Sequence, residues 1–108
     1  MNKVYDKPVQ LQRQDADTEE WIDVLPLPLH ASVNKATNKQ DVDFGADADQ
    51  FHARMVFEFR YTTLLETARY SPQIYRLVYR GHTYRIVDYD DYMEQHREVR
   101  ITGEQYEQ

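Results

Sequence analysis

The stretch RLVYRGHTYRIVDYDD, residues 76–91, alternates oily and charged side chains on both sides of a glycine. Such a period of two is the pattern of a half-buried strand. Arg80-Gly81 lies between two such runs, Tyr75 to Tyr79 and His82 to about Asp90, where glycine supplies the positive φ that a two-residue hairpin turn needs. Pairing Tyr79 with His82 then sets Leu77 opposite Tyr84 and Tyr75 opposite Ile86, all four on one face. The same register places Arg76 directly opposite Arg85 on the outer face, a like-charge pair that costs roughly a few tenths to one kcal/mol unless screened. Beyond Arg85 the last strand would bring either Arg100 or Glu98, with Glu98 or Glu58 available to neutralise the surface.

Working outward, Phe51 to Tyr61 carries Phe51, Ala53, Met55, Phe57, Phe59 and Tyr61 on one side and mostly polar residues on the other, which predicts a long strand. A fourth run places Val99 and Ile101 on the core side. Val9, Leu11 and Arg13 form a short strand; Trp21 to Leu25 forms another, closed off by Pro26 and Pro28; His30 to Val33 resumes the extended trend. Residues 62–73, TTLLETARYSPQ, begin with a helical turn capped by Thr62 or Thr63, and Pro72 then restores extended chain. The segment from Asn34 to Gln50 carries Asp41, Asp43, Asp47 and Asp49 against only Val42 and Phe44 as sizeable apolar groups, and reads as a mobile loop over about 35–50. The fold expected is all-β: one domain over 1–108, a small antiparallel β-barrel of about six strands with a long acidic loop and at most one short helix.

Composition narrows function. With 13 Lys and Arg against 19 Asp and Glu, the net charge is −6, and sequence-independent nucleic-acid binding is disfavoured because it rests on cations neutralising phosphates. Cysteine is absent, so neither disulfides nor thiolate metal sites enter. The N-terminal MNKVYDKP has no apolar core and LPLPL is broken by prolines, so neither a secretion signal nor a membrane span is expected.

No catalytic, cofactor or metal site emerges. DVDFGADAD, 41–49, alternates aspartates as a calcium loop does, but Gly45 falls one position early and His52 stands where the bidentate glutamate belongs. His30, His52, His82 and His96 show no helical i, i+4 pairing. There is no glycine-rich phosphate cradle and no nucleophile beside a base, so an enzyme is not expected. Among the nine tyrosines the hairpin parity turns Tyr75 and Tyr84 inward, leaving Tyr89 and Tyr92 to solvent among Asp88, Asp90, Asp91 and Glu94. That is a poor stacking platform for single strands and a better protein contact. The Arg76, Arg85 and Arg100 patch is suited to meet an acidic surface on another subunit, for which 41–49 is a donor; patches of opposite sign in different places favour head-to-tail contacts that close into rings.

Read together, VQLQR (9–13), EWIDV (20–24), HASV (30–33), FEFRY (57–61), VYRGHTYRIVD (78–88) and REVRITGE (97–104) resemble, in order, the strands of the phage head-tail joining family, the head-completion or stopper proteins of tailed bacteriophages. The family's Ser-Gly-Arg-Glu stretch after the third strand has no counterpart in Thr37 to Gln50. The resemblance implies a virion protein, present in the host cytoplasm during assembly, that forms a homo-oligomeric ring beneath the portal or its adaptor protein. It implies closure of the portal channel after DNA packaging and docking of the tail-completion protein, with DNA passing by without specific binding and no membrane involved. On that reading Asp41, Asp43, Phe44, Asp47 and Asp49 line or gate the channel, while Arg76, Arg85 and Arg100 make subunit contacts. A tail-completion or terminator protein and an OB-like barrel for single-stranded nucleic acid are the alternatives.

Overall fold

The computed structural model describes residues 4–35, 54–91 and 94–106. In chain order these form β1 (Lys7–Gln14), β2 (Trp21–Asp23), β3 (Leu29–Lys35), β4 (Arg54–Arg60), α1 (Thr63–Tyr70), a 3-10 turn (Pro72–Ile74), β5 (Tyr75–Tyr79), β6 (His82–Asp91) and β7 (Glu98–Gln105). The antiparallel order β1-β3-β4-β7-β6-β5 closes on itself because β5 pairs back onto β1, with Leu77 facing Leu11. Among the described residues closure removes most of the sheet edge that could template pairing with other chains. The acidic segment of the sequence reading, with Asp41, Asp43, Phe44, Asp47 and Asp49, lies outside the described residues, as do Phe51, His52 and Tyr92.

The hairpin that decided the fold forms in the expected register, Tyr79 against His82, Leu77 against Tyr84 and Arg76 against Arg85. Its turn has φ of 52° at Arg80 and 78° at Gly81, both left-handed, as a tight turn matching the strand twist requires. Inward-facing residues from every barrel strand meet in one core, in which Val9, Leu11, Phe57, Phe59, Leu77, Val99 and Ile101 are fully buried. Phe57 is held edge-on between Tyr79 and Tyr84, with centroids 5.9 and 5.2 Å away. Gly103 permits this packing: a Cβ there would stand 2.9 Å from Tyr84 Cβ and 3.0 Å from Phe57 Cε1.

Three local features differ from the sequence expectation. Pro72 does not restore extended chain; it opens a 3-10 turn, and the strand resumes only at Tyr75. Before it, Thr62 caps α1 by accepting the Leu65 N–H at 3.2 Å, and Leu65 and Ala68 bury into the barrel core. The second difference is in β6: Ile86 faces Gly103 but Asp88 faces Thr102, so Val87 is an extra, bulged residue. The bulge reverses the inside–outside parity, which turns Tyr89 and Asp91 inward instead of leaving Tyr89 to solvent. Third, the neighbour of Arg85 on β7 is Glu104, neither Arg100 nor Glu98.

β2 and β3 lie in line along one edge of β1 while β5 takes the other. From Gln12 to Val9, β1 advances three residues while its partner chain advances six, from Asp23 to Leu29, so three residues are looped out at the prolines. This is the structural effect of LPLPL: Pro26 and Pro28 lack the N–H that a continuous ladder would use, and Leu27 is left 74% exposed.

Candidate functional site

The outer wall is organised as a polar row crossing six strands. Strand register aligns Asp23 (β2) with Gln12 (β1), Gln12 with Arg76 (β5), Arg76 with Arg85 (β6), Arg85 with Glu104 (β7) and Glu104 with Arg54 (β4). Gln12 Nε2 donates to Asp23 Oδ1 at 2.8 Å, and Arg76 Nε donates to Gln12 Oε1 at 2.8 Å. On the other side of the row Glu104, with a side chain only 9% exposed, accepts from Arg54 Nε at 3.1 Å and from Arg85 Nε at 2.9 Å; Arg85 Nη2 also reaches it. Burial alone would raise the Glu104 carboxyl, but the hydrogen bonds and charges of Arg85 and Arg54 outweigh it and hold the group below its usual value.

The two facing arginines are therefore unlike. Arg85 is tied to a carboxylate. Arg76 contacts only neutral groups among the described residues: the Gln12 amide, the Tyr106 hydroxyl at 3.2 Å, and the Trp21 ring, whose centroid lies 4.4 Å from the guanidinium carbon. Stacking and two hydrogen bonds fix the guanidinium plane without neutralising it, and its remaining N–H donors suit a carboxylate. Arg100 does not join this row. It sits four residues earlier on β7, where Nη2 reaches buried Glu58 Oε2 at 3.2 Å, and its other neighbour is Asp90. The structure thus brings Arg76 and Arg85 together and places Arg100 in a second row through Ser32, Glu58 and Asp90.

Sequence reasoning missed Trp21, Gln12, Tyr106, Glu104 and Arg54 as companions of the arginines. Outward parity of Glu104 and Arg54 was readable, but which strands become neighbours follows from the β1–β5 closure and the β7 register, neither of which leaves a local signal.

Beside this row runs an open groove. Trp21, Pro72, Tyr75, Ile86, Val87 and Tyr106 line a hollow of about 520 Å³. Past Pro72 and Val87 it continues into a smaller one of about 230 Å³ bordered by Arg69 and Asp88. The bulged Val87 is 41% exposed in the floor. β5 pairs β6 only as far as Arg85, so the edge of β6 beyond Ile86 has no strand beside it among the described residues.

At the base of the barrel a second polar cluster braces the β6–β7 connection. Asp91 Oδ1 accepts the His96 N–H at 3.1 Å and His96 Nδ1 lies 3.0 Å from Oδ2; the His96 ring packs against Tyr61 at a tilt of 56°, with centroids 4.3 Å apart. Tyr61 donates to Glu66 at 2.7 Å, which pushes its phenol up to about 12, and burial raises Tyr89 to about 12 as well. Arg69 spans from α1 to Glu94 at 3.1 Å. These contacts are internal bracing. Among the described residues no group of three or more His, Asp or Glu side chains is placed to hold a metal, His30 is exposed, and His82 pairs with Gln105. No helix among the described residues is long and apolar enough to cross a membrane.

A search of curated proteins finds no match. A family model described as phage head completion protein matches residues 5–105 of the 108. That span takes in every described strand of the barrel, the arginine row and the groove apart from Tyr106. The chain belongs to the phage head completion protein family, structural components of the virion that interact with other head and tail proteins.

Proposed function

We propose that this protein forms a ring at the head–tail junction of a tailed phage, closes the portal channel after DNA packaging, and offers the tail its docking surface. The observation that carries the reading is the family match across the whole barrel. The outer wall supports it: an uncompensated Arg76 beside an exposed Arg85 is a poor arrangement for an isolated surface and a useful one when an acidic neighbour arrives. A single chain carrying a basic wall and a separate acidic segment meets its own kind head to tail, and such contacts close into rings. Arg76 and Arg85 make the principal subunit contact in this account, with Arg100 contributing from the second row. Of the acidic segment, Asp47 and Asp49 belong to the inner side of the ring, where carboxylates repel phosphates and let DNA pass without being gripped, while Asp41, Asp43 and Phe44 are the part offered to the neighbouring copy.

The test is a phage in which the gene is disrupted and complemented in trans. The expected result is packaged heads that lose DNA and accumulate beside free tails, with both defects rescued by the wild-type chain. Full heads that retain DNA and join tails normally would refute the proposal. Headless tails of irregular length would instead identify a tail terminator.

A further inference from the structure

The groove beside Arg76 has no occupant among the described residues, and its chemistry specifies one. Its floor is apolar, with Val87 41% exposed next to Pro72 and Trp21. Its rim carries Arg76, Arg85 and Arg69 against the single carboxylate of Asp88. The exposed Arg69 ion pair can exchange partners at little loss, Arg85 holds buried Glu104 through Nε and Nη2 and keeps Nη1 for a second carboxylate, and Arg76 has no carboxylate to give up. The free edge of β6 beyond Ile86 adds main-chain groups for an extended strand. A fitting ligand is therefore an extended segment in which carboxylates flank a bulky apolar side chain. The chain contains one, DVDF at 41–44.

Topology says whose groove it reaches. The 36–53 segment is rooted between Lys35 of β3 and Arg54 of β4. In the barrel order β1-β3-β4-β7-β6-β5, the β3–β4 seam stands three strands from the β6–β5 seam in either direction, on the opposite side of the cylinder. Eighteen residues extended at about 3.3 Å each go out and back about 30 Å, enough to cross an interface. Donor and acceptor on opposite sides of one protomer are what a head-to-tail ring uses. We infer that the β5–β6 groove is the seat of the 41–44 stretch of an adjoining copy, its carboxylates on Arg76 and Arg85 and Phe44 over Val87, which holds Asp47 and Asp49 toward the channel. This deepens the ring reading above and rests on it.

The full chain, diluted until monomeric by analytical ultracentrifugation, is titrated with a synthetic peptide of residues 39–51. Trp21, the only tryptophan, lies in the groove and reports binding by fluorescence. The inference expects saturable binding that weakens with salt and falls at least about tenfold with Arg76→Glu or Val87→Glu in the chain, or with Phe44→Ala in the peptide. The peptide variant keeps the test valid if a chain variant fails to fold. No saturable binding at millimolar peptide, binding indifferent to all three substitutions, or a groove closed to peptide at every dilution by the chain's own segment would overturn it. Ring formation is scored separately by electron microscopy. Normal rings from folded Val87→Glu protein would overturn the groove contact and leave the ring standing, whereas peptide binding in a chain that never forms rings would support the groove and sink the ring.

Discussion

Gly103→Ala tests the barrel through one methyl group. The new Cβ would stand 2.9 Å from Tyr84 Cβ and 3.0 Å from Phe57 Cε1, inside ordinary carbon contact. Neither neighbour yields easily. Tyr84 Cβ is bonded to the backbone of β6, which is laddered to β5 and β7 at that point. The Phe57 ring is fully buried and held edge-on by Tyr79 and Tyr84. Overpacking at a site of this kind destabilises by about 1–3 kcal/mol. For a domain of about 100 residues each kcal/mol lowers Tm by roughly 4–8 °C, so the expected fall is on the order of 5–20 °C. Calorimetry on wild type and variant measures it. Gly81→Ala is the control: no atom lies within 4 Å of its Cβ, and only the left-handed φ of 78° is penalised, by about 1 kcal/mol. A Tm for Gly103→Ala within about 1 °C of wild type would mean that Gly103 does not pack against Tyr84 and Phe57 and that the register setting it opposite Ile86 is wrong.

Other consequences are as direct. Glu104→Gln removes the shared carboxylate of Arg85 and Arg54 and should lower stability at pH 7 by about 1–3 kcal/mol in urea unfolding. Because the folded Glu104 carboxyl titrates below its ordinary value, its contribution is present above that value and lost as pH falls through the folded one, so the gap between wild type and variant should close in acid. A gap that persists unchanged at pH 3 would contradict the ion-pair assignment. Tyr61 and Tyr89, raised to about 12, contribute stability that is complete below the ordinary phenol value near 10 and lost as pH climbs through 12; absorbance at 295 nm should show two phenols ionising late, together with alkaline unfolding. Thr62→Ala removes the cap of α1 and should cost about 1 kcal/mol, whereas Thr63→Ala, whose side chain does not cap the helix, should cost less.

What the sequence disclosed and what it concealed divide along one physical line. The 76–91 hairpin was legible because both of its signals are local: two-residue alternation on either side, and a glycine where the turn needs positive φ. The cap at Thr62 and the break at LPLPL were legible for the same reason, since each concerns a residue and its near neighbours. Closure by β1 against β5 joins residues more than sixty apart, and nothing in VQLQR indicates which strand will lie beside it. The Val87 bulge was hidden because IVDYDD reads as unbroken alternation; only the demand that Gly103 sit under Tyr84 and Phe57 while Thr102 meets Asp88 reveals the extra residue. These hidden features also assemble the site. The facing pair of arginines was foreseen, but the Trp21 ring, the Gln12 amide and the Glu104 carboxylate that make Arg76 and Arg85 different come from strands distant in sequence.

A ring of these barrels where the head meets the tail would be visible in the intact virion by cryo-electron microscopy focused on the neck. The expected density is a ring of six-stranded barrels between portal and tail, with the Trp21–Arg76 face of each barrel against the next copy. Density for this chain at the distal tail, on the capsid surface, or nowhere in the particle would contradict it.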